Sequence, residues 1–258
     1  MALNYNTYLV ALLVFTRMTG AFLFNPMLGR KSVPAIAKVG LALLLTILVV
    51  PTMTIPEASF PTPLSFMLAL VRELMIGYAL GLIFNLFISL VLMAGEIMDM
   101  EMGTSVSKIY DPQSGISMPL TGTALNIMMT LIFFSTNGHL TLIKIIAASL
   151  SMFPPGPQMV GVEIGSYLTM MLGDMIILAL KLAMPVLAIE LLSEAGLGVL
   201  MRIVPQINVF VVGIQIKIAI GLIIIIAALP AIGRLIDTSL GQMFEAMQKG
   251  LQIMLTQG

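Results

Sequence analysis

Asp174, Lys181 and Lys217 are ionisable side chains set inside long apolar stretches. Charge at membrane depth is costly, so such groups face a partner or a wet cavity. Asp174 and Lys181 share a helical face, but their separation is about 10 Å along the axis, too far for a direct pair. Each must meet another helix or subunit, or line a polar path. His139 follows Gly138 at the end of an apolar run. With an ordinary pKa of about 6.5, such an imidazole is either a hydrogen-bonded structural group or a proton relay. Arg202, Gln206 and Asn208 stand at the mouth of a further apolar helix, and Pro205 interrupts regular hydrogen bonding there. Arg202 and Gln206 share a face wherever the helix persists. They hold a turn or contact a neighbour, with Glu190 and Glu194 the nearest acids in sequence, or Arg202 snorkels to the interface.

None of these groups composes a catalytic site. His-Glu-x-x-His, Gly-x-Ser-x-Gly, P-loop and dinucleotide patterns are all missing, and the carboxylates form no acid/base pair. Zero cysteines and one histidine exclude disulfides, thiolate chemistry and a His-rich metal centre within this chain. The reading is of a non-enzyme without metal or cofactor. Twelve basic and twelve acidic residues balance to zero net charge, which gives nucleic acid no electrostatic purchase.

The elements that position these residues are apolar. Of 258 residues, 59% are hydrophobic and 9% charged, whereas a soluble domain carries about 25% charged residues. A spanning helix needs about 20 mostly apolar residues, and candidate segments are 6–25, 35–55, 65–94, 116–136, 166–190 and 207–232. The expected fold class is all-α: an integral membrane-type protein of about six hydrophobic helical segments in one domain, 1–258. Pro and Gly clusters at 25–34, 51–63 and 152–157 mark breaks. Residues 139–153 are short for a span and read as a re-entrant or interfacial helix, or as the second arm of a hairpin. The start reads as retained rather than a cleaved signal, because residues 1–16 contain no Lys or Arg. Arg30, Lys31 and Lys38 place the first loop in the cytoplasm and the N-terminus outside. Gly77 and Gly81 form a GxxxG groove that admits another helix at close range. The tail, 234–257, is an amphipathic helix with Ile236, Leu240, Met243, Met247, Leu251 and Met254 on one face. It lies at the membrane interface or docks a partner subunit.

The stretch from Ala94 to Met118 reads as a loop, acidic at Glu96, Asp99 and Glu101, then rich in turn formers at Asp111-Pro112 and Ser114-Gly115. Val106, Ile109 and Tyr110 leave apolar groups in it, which fits a loop packed inside protein or beside a water-filled cavity. Met98, Met100 and Met102 beside it are candidates for a deformable seal.

An ordered set of motifs resembles one family. Its members here are Arg17, Pro26, Arg30-Lys31-x-x-Pro34, Ala94-Gly95-Glu96, Met102-Gly103, Asp111-Pro112, Gly138-His139, Pro154-x-Gly156 and Arg202-x-x-Pro205-Gln206-x-Asn208-Val209-Phe210. Over about residues 8–232 the chain is similar to the FliR family of flagellar biosynthesis and its counterpart in virulence type III secretion. The resemblance implies a helical fold like a FliP-like part fused to a FliQ-like part. It implies assembly with FliP and FliQ around a pore for unfolded flagellar substrates in the bacterial inner membrane, with FlhB associated and FlhA nearby, within the flagellar basal body. The family's plug loop falls on about Gly103–Met118, making Met102, Gly103, Val106, Ile109, Tyr110, Asp111 and Pro112 the plug and pore candidates. Glu101 departs from the neutral Gln usual in that family. The competing reading is a small-solute or ion transporter built on Asp174, Lys181 and Lys217, which calls for an inverted repeat; the sequence has no convincing one.

Overall fold

The computed structural model describes residues 5–23, 25, 34–53, 60–104, 119–156, 161, 163–203 and 209–255. The elements are α1 (Tyr5–Leu23), α2 (Ala35–Val49) with a 3-10 turn (Val50–Thr52), α3 (Pro63–Glu101), α4 (Leu120–Ser135), α5 (Gly138–Met152), α6 (Ile164–Ile203) and α7 (Val209–Leu255). Every regular element among the described residues is a helix. By length and composition five helices are able to cross a membrane, or six if α4 and α5 together make one interrupted span.

Local chemistry sets the ends. Pro63 takes the first position of α3, where a missing N–H costs nothing. Thr62 and Ser65 cap each other there: the Ser65 N–H donates to Thr62 Oγ1 at 3.2 Å, and the Thr62 N–H donates to Ser65 Oγ at 3.3 Å. Asn137, just before α5, sits at φ 57°, a left-handed conformation that Asn tolerates better than most residues.

Two expectations change. Helix α3 continues to Glu101, so Glu96, Asp99 and Glu101 are helical rather than loop residues. Apolar residues fill the gaps between those acids, and no turn former intervenes until Gly103, whose φ of 76° stops the helix as a left-handed glycine does. The tail is not a separate interfacial or partner-docking helix. It is the end of the 47-residue α7, and its stripe from Ile236 to Met254 is buried within this chain, with Met243 and Met247 fully covered. Pro230 does not break α7, and proline in an apolar helix is tolerated when neighbouring groups satisfy the freed backbone.

The chain forms two compact units, Met1–Phe87 with Asn137–Leu172 and Leu240–Gly258, and Ile88–Thr136 with Gly173–Ser239. In the first, α1 packs against α2 and α5, and the GxxxG of α3 meets α1. A Cβ on Gly77 would overlap the Arg17 carbonyl and come within 2.8 Å of the Ala21 nitrogen and 3.1 Å of the Gly20 Cα. Gly81 is buried as well. At Gly77 the groove is filled by this chain's own first helix. Gly77→Leu should overpack that crossing at a cost of about 3 kcal/mol or more. Gly40, with nothing within 4 Å of an added Cβ, is the internal control. Thermal loss of helicity in detergent checks this: Gly40→Leu should melt like the unmodified protein and Gly77→Leu well below it. The C-terminal end of α7 completes the unit, where Tyr167 donates its hydroxyl to the Ala246 carbonyl at 3.2 Å.

At the centre of this unit lies a buried ion pair. Arg17, fully buried, donates from Nε to Glu73 Oε2 at 2.5 Å. Its Nη1 donates to the Ser149 carbonyl at 2.8 Å and its Nη2 to the Phe153 carbonyl at 2.9 Å. Those carbonyls belong to the C-terminal end of α5, where a cation is favourable. Gly156 adds a backbone hydrogen bond to Glu73. The Pro154-Pro155-Gly156 break therefore ends α5 and also closes the shell around the pair.

Candidate functional site at the base of the 103–118 segment

In the second unit α3 and α4 cross at glycines. A Cβ on Gly95 would overlap the Gly122 nitrogen and Cα and lie 2.9 Å from the Thr121 carbonyl carbon. Only glycine lets two backbones approach so closely. One turn further along α3, Asp99 is buried, and its carboxylate receives the Thr121 N–H at 3.2 Å on Oδ1 and 3.1 Å on Oδ2. Thr121 Oγ1 adds a 2.5 Å bond to Oδ1. Pro119, which precedes α4, offers no side-chain cap. Asp99 performs that service from another helix, placing a carboxylate where orphan N–H groups and the helix dipole favour one. The Thr104 hydroxyl returns to the Asp99 carbonyl at 2.9 Å. Asp99 thus holds Thr104 through its backbone carbonyl and Thr121 through its carboxylate.

Met102 is buried with its thioether against Gly221 of α7, where any side chain would collide with it. Glu190 Oε1 lies on the same spot, 3.0 Å from where a Gly221 Cβ would stand. Glu190 is itself buried, with neither oxygen hydrogen-bonded among the described residues. One turn along α6, Glu194 pairs with Lys217 at 3.2 Å. A small backbone, a deformable side chain and a buried carboxylate thus meet where α3 ends. Met98 and Met102 face inward, while Met100 is 66% exposed, so the three methionines do not form one surface.

The other candidates fall in different places. Gly103 ends α3, and Val106, Ile109, Tyr110, Asp111 and Pro112 lie outside the described residues, as do Gln206 and Asn208. His139 is half-buried in the first turn of α5. Asp174, Lys181 and Arg202 are exposed on α6. Among the described residues no group of three His, Cys, Asp or Glu side chains is placed to hold a metal ion. Sequence reasoning missed Glu73, Asp99 and Glu190 as buried acids; the one available signal was a carboxylate inside an otherwise apolar helix.

Removing the clasp should loosen the start of α4. Asp99→Ala deletes hydrogen bonds to a charged acceptor, an effect of about 2 kcal/mol, which raises amide exchange at Thr121 about thirtyfold. Asp99→Asn, which keeps an acceptor, should fall between. Exchange measured on the intact protein checks the order, and an unchanged Thr121 amide would show that the cap is not holding.

Residues 8–243 match the family described as bacterial export proteins, family 1. The chain is 34% identical over 224 residues to the flagellar biosynthetic protein FliR of Bacillus subtilis (strain 168), which covers 86% of each chain. The chain belongs to the FliR family. A FliR of Escherichia coli (strain K12) is 31% identical to it over 224 residues, 86% of this chain and 85% of the relative. That of Aquifex aeolicus (strain VF5) is 29% identical over 226 residues, 87% of each. The match takes in the Arg17–Glu73 knot, the Asp99–Thr121 clasp and the Gly221 seat of this FliR-family chain.

Proposed function

We propose that this chain is a subunit of the flagellar type III export apparatus in the bacterial inner membrane. It would assemble with FliP and FliQ into a helical channel for unfolded flagellar substrates, with FlhB associated and FlhA nearby. In this reading the 103–118 segment is the plug, and Met102, Gly103, Val106, Ile109, Tyr110, Asp111 and Pro112 are its closing residues. The observation that carries the reading is the clasp: in a protein whose relatives are named for flagellar biosynthesis, buried Asp99 receives Thr121 on its carboxylate and Thr104 on its backbone carbonyl, on either side of residues 105–118. Residues 104 and 121, which flank it, are both held by Asp99, an anchorage suited to a closing segment. Met102 on Gly221 supplies a compliant hinge point beside it.

The transporter reading has less support. It requires Asp174, Lys181 and Lys217 to line one path, but the first two are exposed on α6 while Lys217 pairs with Glu194. Purification of the tagged chain from gently solubilised membranes tests the choice. Recovery of FliP and FliQ with it is the expected result. A lone chain or self-dimer that moves a solute would overturn the proposal.

A further inference from the structure

At the junction where α3 ends, one buried acid has no role in holding the fold. Glu190 is 1% exposed, and neither of its oxygens meets a hydrogen-bond donor among the described residues. Its Oε1 stands 3.0 Å from the position of a Cβ on Gly221, beside the Met102 thioether. Three charged groups act on it: Lys217 from α7, Glu101 from the end of α3 and Glu194 from one turn along α6. Helix α4 carries no ionisable side chain. Lys217 is the one base among the three, and it is engaged elsewhere, 3.2 Å from Glu194 Oε1. A carboxylate enclosed without a donor or counter-ion is far costlier than the neutral acid, so such a group takes up a proton. A metal ion does not fit instead, because among the described residues no three His, Cys, Asp or Glu side chains converge.

We infer that Glu190 is a proton-binding site, which holds its proton while Lys217 pairs with Glu194 and which draws Lys217 across when the proton leaves. The helices are built for that exchange. Glu190 and Glu194 are four apart on α6, and Gly221 and Lys217 are four apart on α7, so the two levels lie one turn apart, about 5.4 Å. The flexible four-carbon stem of Lys217 spans such a step. Glu194, with its side chain 61% exposed, is then left to water. In the exchange the O–H bond of Glu190 breaks, its electron pair stays on the carboxylate, and the proton passes to water on the exposed Glu194 side. Lys217 remains an ammonium throughout. Glu190 thereby turns from neutral to charged beside Met102 and Gly221, at the end of α3. An ionisable group inside an apolar helix is a natural place for such a step. The site stands whether or not residues 103–118 close a path.

Infrared difference spectroscopy on native membranes enriched in the intact chain reads the proton directly, because a protonated carboxyl has a carbonyl band that a carboxylate lacks. The expected result at neutral pH is a carboxyl band that Glu190→Gln abolishes. Glu190→Asp should move the band rather than delete it, which assigns it even if the glutamine variant is poorly recovered. Glu194→Gln frees Lys217, which should then pair with Glu190 and remove most of the band at the same pH. Glu194→Asp, which keeps the charge, should keep the band. Lys217→Gln takes away the base that favours the charged form, so the band should persist to higher pH than in the unmodified chain. If no band responds to either change at Glu190, the carboxylate is ionised, held by water or by a neighbouring chain, and the site is overturned. A band indifferent to both Glu194→Gln and Lys217→Gln would overturn the exchange with Lys217.

Discussion

Arg17→Ala should cost about 3–5 kcal/mol, because it leaves the Glu73 carboxylate buried without its counter-charge. Both side chains are almost fully enclosed, 0% and 3% exposed, so water cannot replace the lost partner. The same change frees the Ser149 and Phe153 carbonyls, which the guanidinium receives through separate nitrogens. Arg17→Lys keeps the charge but loses the planar fork, and one ammonium cannot serve three acceptors on different elements with the same geometry. It should recover only part of the loss. Arg17→Leu with Glu73→Leu should be milder than Arg17→Ala alone, since no orphan charge remains and apolar replacement of a buried pair is often near neutral. The yield and melting temperature of detergent-solubilised protein give the ranking. An Arg17→Ala variant that melts with the unmodified protein would mean that Glu73 finds solvent or another donor.

How far the sequence reaches is visible in these same residues. Composition and the Pro/Gly stops are legible, because hydrocarbon length and turn chemistry act locally. Helix α1 ends at Leu23, just before the Asn25-Pro26 break, and α5 ends at Met152, just before the Pro154-Pro155 run. Arg17 stands out as a lone cation in an apolar helix, but its acceptor lies 56 residues away, and nothing local selects Glu73 over Glu57. The acids of 94–101 resemble a loop because polarity is a weak guide to helix ends. The side chain of Asp99 faces a helix start that only the fold brings near. The tail shows the limit from the other side: its four-and-three spacing gives an apolar face, but periodicity does not say what covers it. Here the cover is the chain itself, including Ile83 and Tyr167 beside Gly250.

The plug reading implies the largest functional effect. Deleting residues 104–115 removes the segment but leaves the helix ends that hold it. Asp99 already brings the start of α4 to the end of α3, so residues 116–118 suffice to join them. Assembly should then proceed while closure fails, because on the plug reading Val106, Ile109 and Tyr110 are the residues that would close the path. Dewetting by apolar side chains is an effective barrier to ions, and its loss opens a continuous water route. The decisive measurement is ion conductance across the membrane of cells that assemble the export apparatus but make no substrate, with partner recovery confirmed on the same cells. The deletion should raise conductance many-fold above that of the unmodified chain. Equal conductance in a deletion variant that still recovers FliP and FliQ would contradict the plug.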